Sequence, residues 1–246
     1  MKTIHTKPLL AALVAGNLAI GKLMAVTTFT TEHVDIGLAE AGDLGLHWHD
    51  ETTVLEYEPE EAEAFVNPAF ATTTRPPGAQ WNFLDVGAGQ TYYQIPDAPE
   101  PNLPYLGIGA EEADLGAFDA WNPGDARGAN TSNKWFGLRL LDFTYSGHAI
   151  NPRFSLWKDD GLGNPIVWMA TSDGIDATDV AYVLTHTHFN FAFTDLGVYE
   201  LEFEAFAKQG GNDVMSAPAT YRFVVPEPGS AALLLLGGLA AFRRRR

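Results

Sequence analysis

The sequence contains no cysteine. Disulfide bridges and thiolate metal sites are therefore excluded, and a bound metal would have to be held by nitrogen or oxygen atoms. The fold must be stabilised by burial of apolar side chains instead. The roughly 200 residues between the two terminal segments described below are enough to form one sizeable hydrophobic core without covalent cross-links.

Basic residues are scarce, and nearly half of them lie close to the ends of the chain. Residues 26–225 contain eight Lys and Arg against 30 Asp and Glu, which gives a formal charge of −22. Such a surface repels nucleic acids and anionic lipids, so a nucleic-acid function is excluded. It suits a soluble extracellular protein, and it attracts cations.

Several familiar catalytic motifs are also absent. The sequence has no H-E-x-x-H, no G-x-S-x-G and no glycine-rich phosphate loop. We therefore predict that the protein is not an enzyme. Acidic turns at 159–161 and 173–179 lack the ligand spacing of a calcium-binding loop, and we interpret them as solvated turns.

The first apolar segment lies near the N-terminus. Lys2 and Lys7 precede the apolar stretch 9–20, and Ala25 offers a small residue for cleavage. This arrangement predicts a signal peptide over residues 1–25, removed by signal peptidase during export.

The second apolar segment lies near the C-terminus. Pro226, Glu227 and Pro228 precede the apolar run 231–242, and four arginines follow it. A helix of this length covers about 18 Å, against roughly 30 Å of bilayer hydrocarbon. It is therefore a marginal membrane anchor, with the arginines on the cytoplasmic side.

This order of tripeptide, short helix and basic cluster resembles the PEP-CTERM sorting signal of exported bacterial proteins. The resemblance implies that residues 226–246 are recognised, and cleaved, by an exosortase-type enzyme. The protein would then be anchored only transiently in the inner membrane before it reaches the cell surface or the extracellular matrix. An ordinary short anchor is the alternative interpretation.

Between these segments, the alternation of apolar and polar residues predicts a β-hairpin. The strands would lie near 33–39 and 43–49, joined by a three-residue loop with Gly42 at positive φ. In the register we predict, Val34 lies opposite Trp48 and Asp35 opposite His47. His33 would then lie opposite His49, on the polar face.

The rest of the central region also predicts β-structure. Further strands are expected at 135–145, 153–158, 165–170, 180–193, 198–207 and 220–225, and short apolar segments at 81–86 and 91–95 predict others. Residues 59–65 form the one plausible helical piece of this region, and a surface loop is the alternative interpretation. The pattern Asp195-x-Gly197-x-Tyr199 predicts a tyrosine corner, so the predicted fold of residues 26–225 is an all-β, immunoglobulin-like sandwich.

Five of the seven histidines fall in two of these strand regions. His47 and His49 form one H-x-H pair, and His186 and His188 form another. Residues two apart in a strand share a face, so both imidazoles of a pair can bind one ion. We predict that the two pairs converge on one site for zinc, manganese, copper or nickel. Exposed histidines without a ligand are the alternative interpretation.

Residues 32–38, 46–49, 185–194 and 197–199, with shorter matches at 83–84, 105–107 and 160–165, resemble the choice-of-anchor M domain. This domain is also described as an actinobacterial surface-anchored domain, and it occurs with interchangeable anchors, among them the PEP-CTERM tail. Phe191 stands where the family usually has tryptophan. The resemblance implies a surface domain without an assigned catalytic activity.

These observations predict an exported, non-enzymatic surface or matrix protein that binds a transition metal, with zinc as the first candidate. An adhesin or glycan-binding module, whose partner would be an extracellular polysaccharide, is the alternative. Trp121 lies in a loop where it could stack on a sugar ring. A metal-dependent enzyme would need a carboxylate base beside the ion, and Asp35 is the one that the predicted hairpin supplies.

Overall fold

The computed structural model describes residues 25–227. Most of the predicted signal peptide and of the predicted sorting signal, including Pro228, lies outside the described residues. Within this range, the fold is mostly β-structure, and the helical segments are short. None of the helices between residues 25 and 227 is long and apolar enough to cross a membrane.

The strands that the structure describes are β1 Thr27–Phe29, β2 His33–Glu40, β3 Asp43–Asp50, β4 Leu55–Tyr57, β5 Ala62–Phe65, β6 Thr72–Thr74, β7 Thr91–Ile95, β8 Tyr105–Gly109, β9 Phe136–Gly147, β10 Phe154–Asp159, β11 Pro165–Ala170, β12 Val180–Val183, β13 His186–His188, β14 Asn190–Phe193, β15 Gly197–Gln209, β16 Asn212–Met215 and β17 Ala219–Val225. A single α-helical turn, α1, covers Pro68–Ala71, and 3₁₀ turns cover Pro59–Glu61 and Ala79–Leu84.

The strands form three sheets. The large sheet has the order β1-β5-β17-β15-β9-β12, with β16 added beside β15. A second sheet has the order β11-β10-β14-β7-β6. The third has the order β13-β8-β2-β3-β4, and we call it the histidine sheet because β2, β3 and β13 carry the five clustered histidines.

Aromatic side chains join the three sheets into one core. Trp48 of the histidine sheet contacts Tyr221 and Phe223 of the large sheet, with ring centroids 4.8 and 5.9 Å apart. Phe191 of the second sheet contacts Phe223 from another side. All four side chains are buried, and truncating a buried aromatic ring of this kind costs about 3–5 kcal/mol of stability.

The predicted hairpin is present, but its register is different. Ile36 lies opposite Trp48, and Asp35 lies opposite His49 rather than His47. The loop has two residues instead of three, and Ala41, not Gly42, takes the positive φ of 50°. A bulge then places two β3 residues opposite the single residue Leu38. These two one-residue shifts add to two, so the side chains beyond the bulge stay on their predicted faces.

The predicted long strand at 180–193 is divided between three sheets. β12 pairs with β9 in the large sheet, β13 pairs with β8 in the histidine sheet, and β14 pairs with β7 and β10 in the second sheet. The alternation of side chains is continuous across the breaks. Phe189, Phe191 and Phe193 all enter the core.

Other predicted strands agree with the structure, and β17 ends at Val225, directly before Pro226. Residues 59–65 form a 3₁₀ turn followed by strand β5, so the predicted helix is confined to its first turn. Residues 81–84 are part of a 3₁₀ turn rather than a strand. The tyrosine corner is confirmed. The buried hydroxyl of Tyr199 donates to the carbonyl of Asp195 at 3.0 Å and accepts from the Asp195 N–H at 2.9 Å.

The hairpin loop predicts an effect of glycine at position 41. Ala41→Gly should stabilise the protein by about 0.5–1 kcal/mol, because glycine adopts a positive φ without the steric strain of a Cβ atom. Ala39→Gly, in the adjoining strand and fully buried, should instead destabilise by a similar amount. Urea unfolding of both variants measures the difference. Equal destabilisation by both would contradict the loop geometry.

Candidate metal centre

The five clustered histidines lie on one face of the histidine sheet, opposite the face that carries Trp48. Strand pairing arranges this face in two rows across the sheet. One row runs His188, Gly107, Asp35 and His49, and the other runs His186, Gly109, Gly37 and His47. His33 lies two residues before Asp35 on β2, on the same face, and opposite Tyr105. Glycines therefore occupy this face of the sheet between the histidine-bearing strands.

The missing glycine side chains make room for the polar groups. A Cβ atom at Gly107 would overlap Oδ1 of Asp35 and lie 2.6 Å from Nε2 of His186. A Cβ atom at Gly37 would overlap the imidazole of His47. The imidazole and carboxylate groups thus lie directly over the strand backbone. Larger residues at these positions would push them out of the arrangement.

The first group of potential ligands consists of His33, Asp35, His186 and His188. Each offers one atom, and the four atoms lie within 4.8 Å of one another. Nε2 of His186 is 3.1 Å from both carboxylate oxygens of Asp35, and Nε2 of His33 is 3.8 Å from Oδ1. Asp35 is only 1% exposed. Nε2 of His33 and Oδ2 of Asp35 are buried without a hydrogen bond.

The tautomer of His188 follows from its surroundings. Its Nδ1 lies 2.8 Å from the carbonyl oxygen of Leu106, which can only accept, so Nδ1 carries the proton. The imidazole also stacks on the ring of Tyr105, with centroids 3.6 Å apart. Burial lowers the pKa of His188 to about 4, so the ring is neutral at pH 7. Its Nε2 lone pair is then available to a metal.

The pKa of His186 is shifted in the opposite direction from that of His188. Its hydrogen bond to Asp35 raises its pKa above the usual value, although burial opposes this shift. Nδ1 of the same ring lies 3.6 Å from Oε1 of Glu111. Without a metal, the buried carboxylate therefore stabilises the protonated form of His186. A cation at this position would have to displace that proton.

A second group lies beside it on the same face. His47, His49 and Glu112 offer three atoms within 4.8 Å of one another. Nδ1 of His49 is 3.0 Å from Oε1 of Glu112 but is not aligned to form a hydrogen bond with it. Nε2 of the same ring is 3.4 Å from Oε1 of Glu51. His47 and His49 are 8% and 6% exposed.

Carboxylates connect the two groups. Asp35, Glu51 and Glu111 form a third set whose oxygens lie within 4.8 Å of one another. Burial raises the pKa of Glu111, and a hydrogen bond that its protonated form donates to Glu51 acts in the same direction, although the charge of His186 opposes this. The polar face is thus one continuous array of imidazoles and carboxylates.

The structure divides the four predicted ligands between two groups. His186 and His188 belong to the first, and His47 and His49 belong to the second. The prediction of one four-histidine site is therefore corrected. The reason is strand order: β8 and β2 lie between β13 and β3, so the pairs are three strand spacings apart, about 14 Å at the backbone.

Sequence reasoning missed His33 and Asp35 as ligands, along with Glu112. The available signal was that His33 and Asp35 alternate onto the polar face of β2. What the sequence did not reveal is that β2 pairs in parallel with β8, and β8 with β13, which brings residues about 150 positions apart together.

The other predicted candidates have intramolecular partners. Asp160 accepts backbone and side-chain hydrogen bonds from Asn164 within its own turn, and Asp176 accepts bonds from Thr178. The indole N–H of Trp121 donates to the carbonyl of Trp135 at 2.8 Å. These contacts explain the acidic turns and the loop tryptophan as structural features.

The first group has the donor chemistry of a transition-metal site. Three imidazoles and one carboxylate match the nitrogen and oxygen ligands of zinc, and the buried tautomer of His188 matches the usual arrangement in which a ligating histidine donates its other N–H to a carbonyl. Ligands at 2.0–2.1 Å from zinc are roughly 3.3 Å apart, and the Asp35 carboxylate lies 3.1 Å from Nε2 of His186 and 3.8 Å from Nε2 of His33. Comparisons with protein-family models, with curated proteins and with solved structures found no match.

The hydrogen bond between Asp35 and His186 predicts an effect on titration. Asp35→Asn should lower the pKa of His186 in the metal-free protein, because the amide no longer stabilises the imidazolium. In the parent protein, the pKa of His186 is higher in the folded state than in the unfolded state, where it is near 6.5. The contact therefore stabilises the fold fully at pH values below about 6.5, and this stabilisation is lost as the pH rises through the pKa of the folded state.

NMR titration of the histidine ring protons in the presence of a chelator measures this change. Asp142→Asn, on the large sheet, is the matched control and should leave His186 unchanged. An unaltered His186 titration in Asp35→Asn would contradict the contact.

Proposed function

We propose that this chain is an exported, non-enzymatic surface or matrix protein whose β-domain binds a transition metal. The ligands are His33, Asp35, His186 and His188. One observation carries the proposal: β2 and β13, which both pair with β8, bring four donor atoms within 4.8 Å of one another, over glycines that leave the space for them.

The energetics of the group favour a cation. Asp35 is buried, and its Oδ2 has no hydrogen bond, although His186 is 3.1 Å away. Nε2 of His33 is equally unpaired. Each buried polar atom without a partner costs about 1–3 kcal/mol, and a metal ion would satisfy both at once.

The ligand count favours binding over catalysis. Catalytic zinc sites usually have three protein ligands and an open fourth position, whereas structural sites are closed by four. The group already offers three nitrogens and one oxygen. Asp35 is itself one of these ligands, so the one carboxylate that the sequence suggested as a base is engaged at the ion.

Zinc is the first candidate metal, and manganese, copper and nickel are the others. Imidazole nitrogen suits zinc, copper and nickel, while the carboxylate also suits manganese. The large acidic excess of residues 26–225 raises the local concentration of any cation near the surface.

The rival function, glycan binding, receives less support. Stacking on a sugar ring needs an exposed aromatic face, and none of the six tryptophans is exposed in the structure. Trp48, Trp81, Trp157 and Trp168 are buried, and Trp121 packs against Phe206 and Tyr182.

The cellular setting of the proposal rests on the sequence. Residues 1–25 act as a signal peptide, and residues 226–246 act as a PEP-CTERM sorting signal with a short membrane helix. Between them, a domain of the choice-of-anchor M type forms an immunoglobulin-like sandwich, for which the tyrosine corner at Tyr199 is the supporting feature.

Zinc binding is tested by thermal unfolding of the purified full-length protein. Addition of zinc to the chelator-treated protein should raise Tm, because a ligand that binds only the folded state stabilises it. His188→Gln should abolish most of this shift. His148→Gln, at a solvent-exposed histidine outside the group, should retain it.

Glycine variants test the same site without removing a ligand. Gly107→Ala should also abolish the zinc shift, because its methyl group would collide with Asp35 and His186. Gly45→Ala adds a methyl group to β3 of the same sheet with no atom within 4 Å, and it should behave like the parent. Equal zinc shifts in all four variants would eliminate the proposed site.

Export is tested on intact cells. External protease should degrade the acidic domain, because the signal peptide and the basic tail place it outside the inner membrane. A cytosolic protein followed in parallel is the control and should be protected. Surface material should lack Arg246 by mass spectrometry if the tail is cleaved. Protection of the domain together with the cytosolic control would refute export.

A further inference from the structure

The second group on the histidine sheet has the features of a separate metal site. We propose that His47, His49 and Glu112 bind a second transition-metal ion, so that each chain holds two. This site lies beyond the one assigned under the proposed function, and its ligands do not overlap with that set. The contacts that support it are those of His47, His49 and Glu112 themselves.

Buried and unpaired nitrogens are the first argument. His47 is 8% exposed, and its Nε2 is buried without a hydrogen bond. His49 is 6% exposed, and its Nδ1 has no hydrogen bond although Glu112 lies 3.0 Å away. Two imidazoles rarely lose their solvent contacts without gaining a partner, and a shared cation would supply one.

The surroundings of His49 are the second argument. With Nδ1 facing Glu112, Nε2 faces the carboxylate of Glu51 at 3.4 Å. A carboxylate beside the non-ligating nitrogen is the common outer partner of a metal-bound histidine, because it fixes the tautomer and raises the basicity of the ligand atom. His49 is therefore oriented as a ligand on one side and supported on the other.

Access from solvent is the third argument. His47 helps to line an open cavity of about 330 Å³ at the edge of the histidine sheet. Four glutamates, Glu40, Glu56, Glu58 and Glu61, line the same cavity. An approaching cation would thus meet negative charge before it reaches His47, which favours entry of a metal over entry of an anion.

The two sites are neighbours rather than one cluster. Asp35 and His49 lie on adjacent strands in directly paired positions, and Glu51 and Glu111 contribute carboxylates between the groups. These intervening negative charges reduce the repulsion between two bound cations. We therefore expect both sites to fill in the same molecule.

Native mass spectrometry of the purified full-length protein counts the ions directly. After equilibration with zinc and removal of the excess, the parent should carry two ions. Glu112→Gln and His49→Gln should each carry one ion, bound at the first site. The affinity of the second site for zinc should fall at least about tenfold in both variants. Glu200→Gln, at an exposed glutamate on the large sheet, is the charge-matched control and should carry two.

His188→Gln separates this proposal from the proposed function. It should also carry one ion, and its combination with Glu112→Gln should carry none. A parent with one ion that survives Glu112→Gln but not His188→Gln overturns the second site and leaves the first. The reverse result overturns the first site alone. Loss of every ion in either single variant would show one shared cluster and overturn the two-site proposal.

Circular dichroism identifies variants that misfold. His49 is buried, so His49→Gln is counted only if its spectrum and Tm in chelator match the parent. Glu112 is partly exposed, with 24% of its side-chain surface accessible, and Glu112→Gln therefore provides the test that depends least on core packing.

Discussion

The packing of Trp48 against the large sheet fixes the orientation of the whole histidine sheet. Its indole is fully buried and contacts Phe29, Tyr221 and Phe223. Because neighbouring residues in a strand point to opposite faces, the inward position of Trp48 turns His47 and His49 to the other side. The position of the candidate ligands is therefore a consequence of core packing.

Charge distribution complements this geometry. Asp35, Glu51 and Glu111 lie close together, and because Asp35 is buried, its carboxylate is repelled by the other two more strongly than it would be in water. The pKa values of His186 and Glu111 are both raised, so protonation of either group, which would relieve part of this repulsion, is favoured relative to the free side chains. The carboxylates that destabilise the metal-free folded protein would therefore stabilise the metal-bound protein.

Local patterns in the sequence predicted the parts of the fold that depend on alternation. Most of the predicted strand positions and the tyrosine corner follow from neighbouring residues. The hairpin register did not, because it depends on a bulge opposite Leu38 and on the strained φ of Ala41. Both are settled by tertiary contacts, such as the hydrogen bond from the Ala41 N–H to the Glu112 carbonyl.

The sequence predicted the type of donor in the candidate site, but not which residues form it. The H-x-H pairs indicated imidazole donors on polar faces, which is what the sheet presents. Their partners depend on strand order, and parallel pairing of β2 with β8 is a long-range choice that no local pattern in the chain encodes. The glycines at 37, 107 and 109 were the unused clue, since three residues without side chains on adjacent strands indicate a close approach of other groups.

The 14-residue segment from Val180 to Phe193 contains three strands, β12, β13 and β14, and each belongs to a different sheet. Such a segment cannot separate from one sheet without strain on its attachments to the other two. Amide hydrogens in β12, β13 and β14 should thus exchange with solvent in one cooperative opening, although they belong to separate sheets. The two histidines of β13 sit at the centre of that unit, so an ion held there would slow exchange far from its ligands.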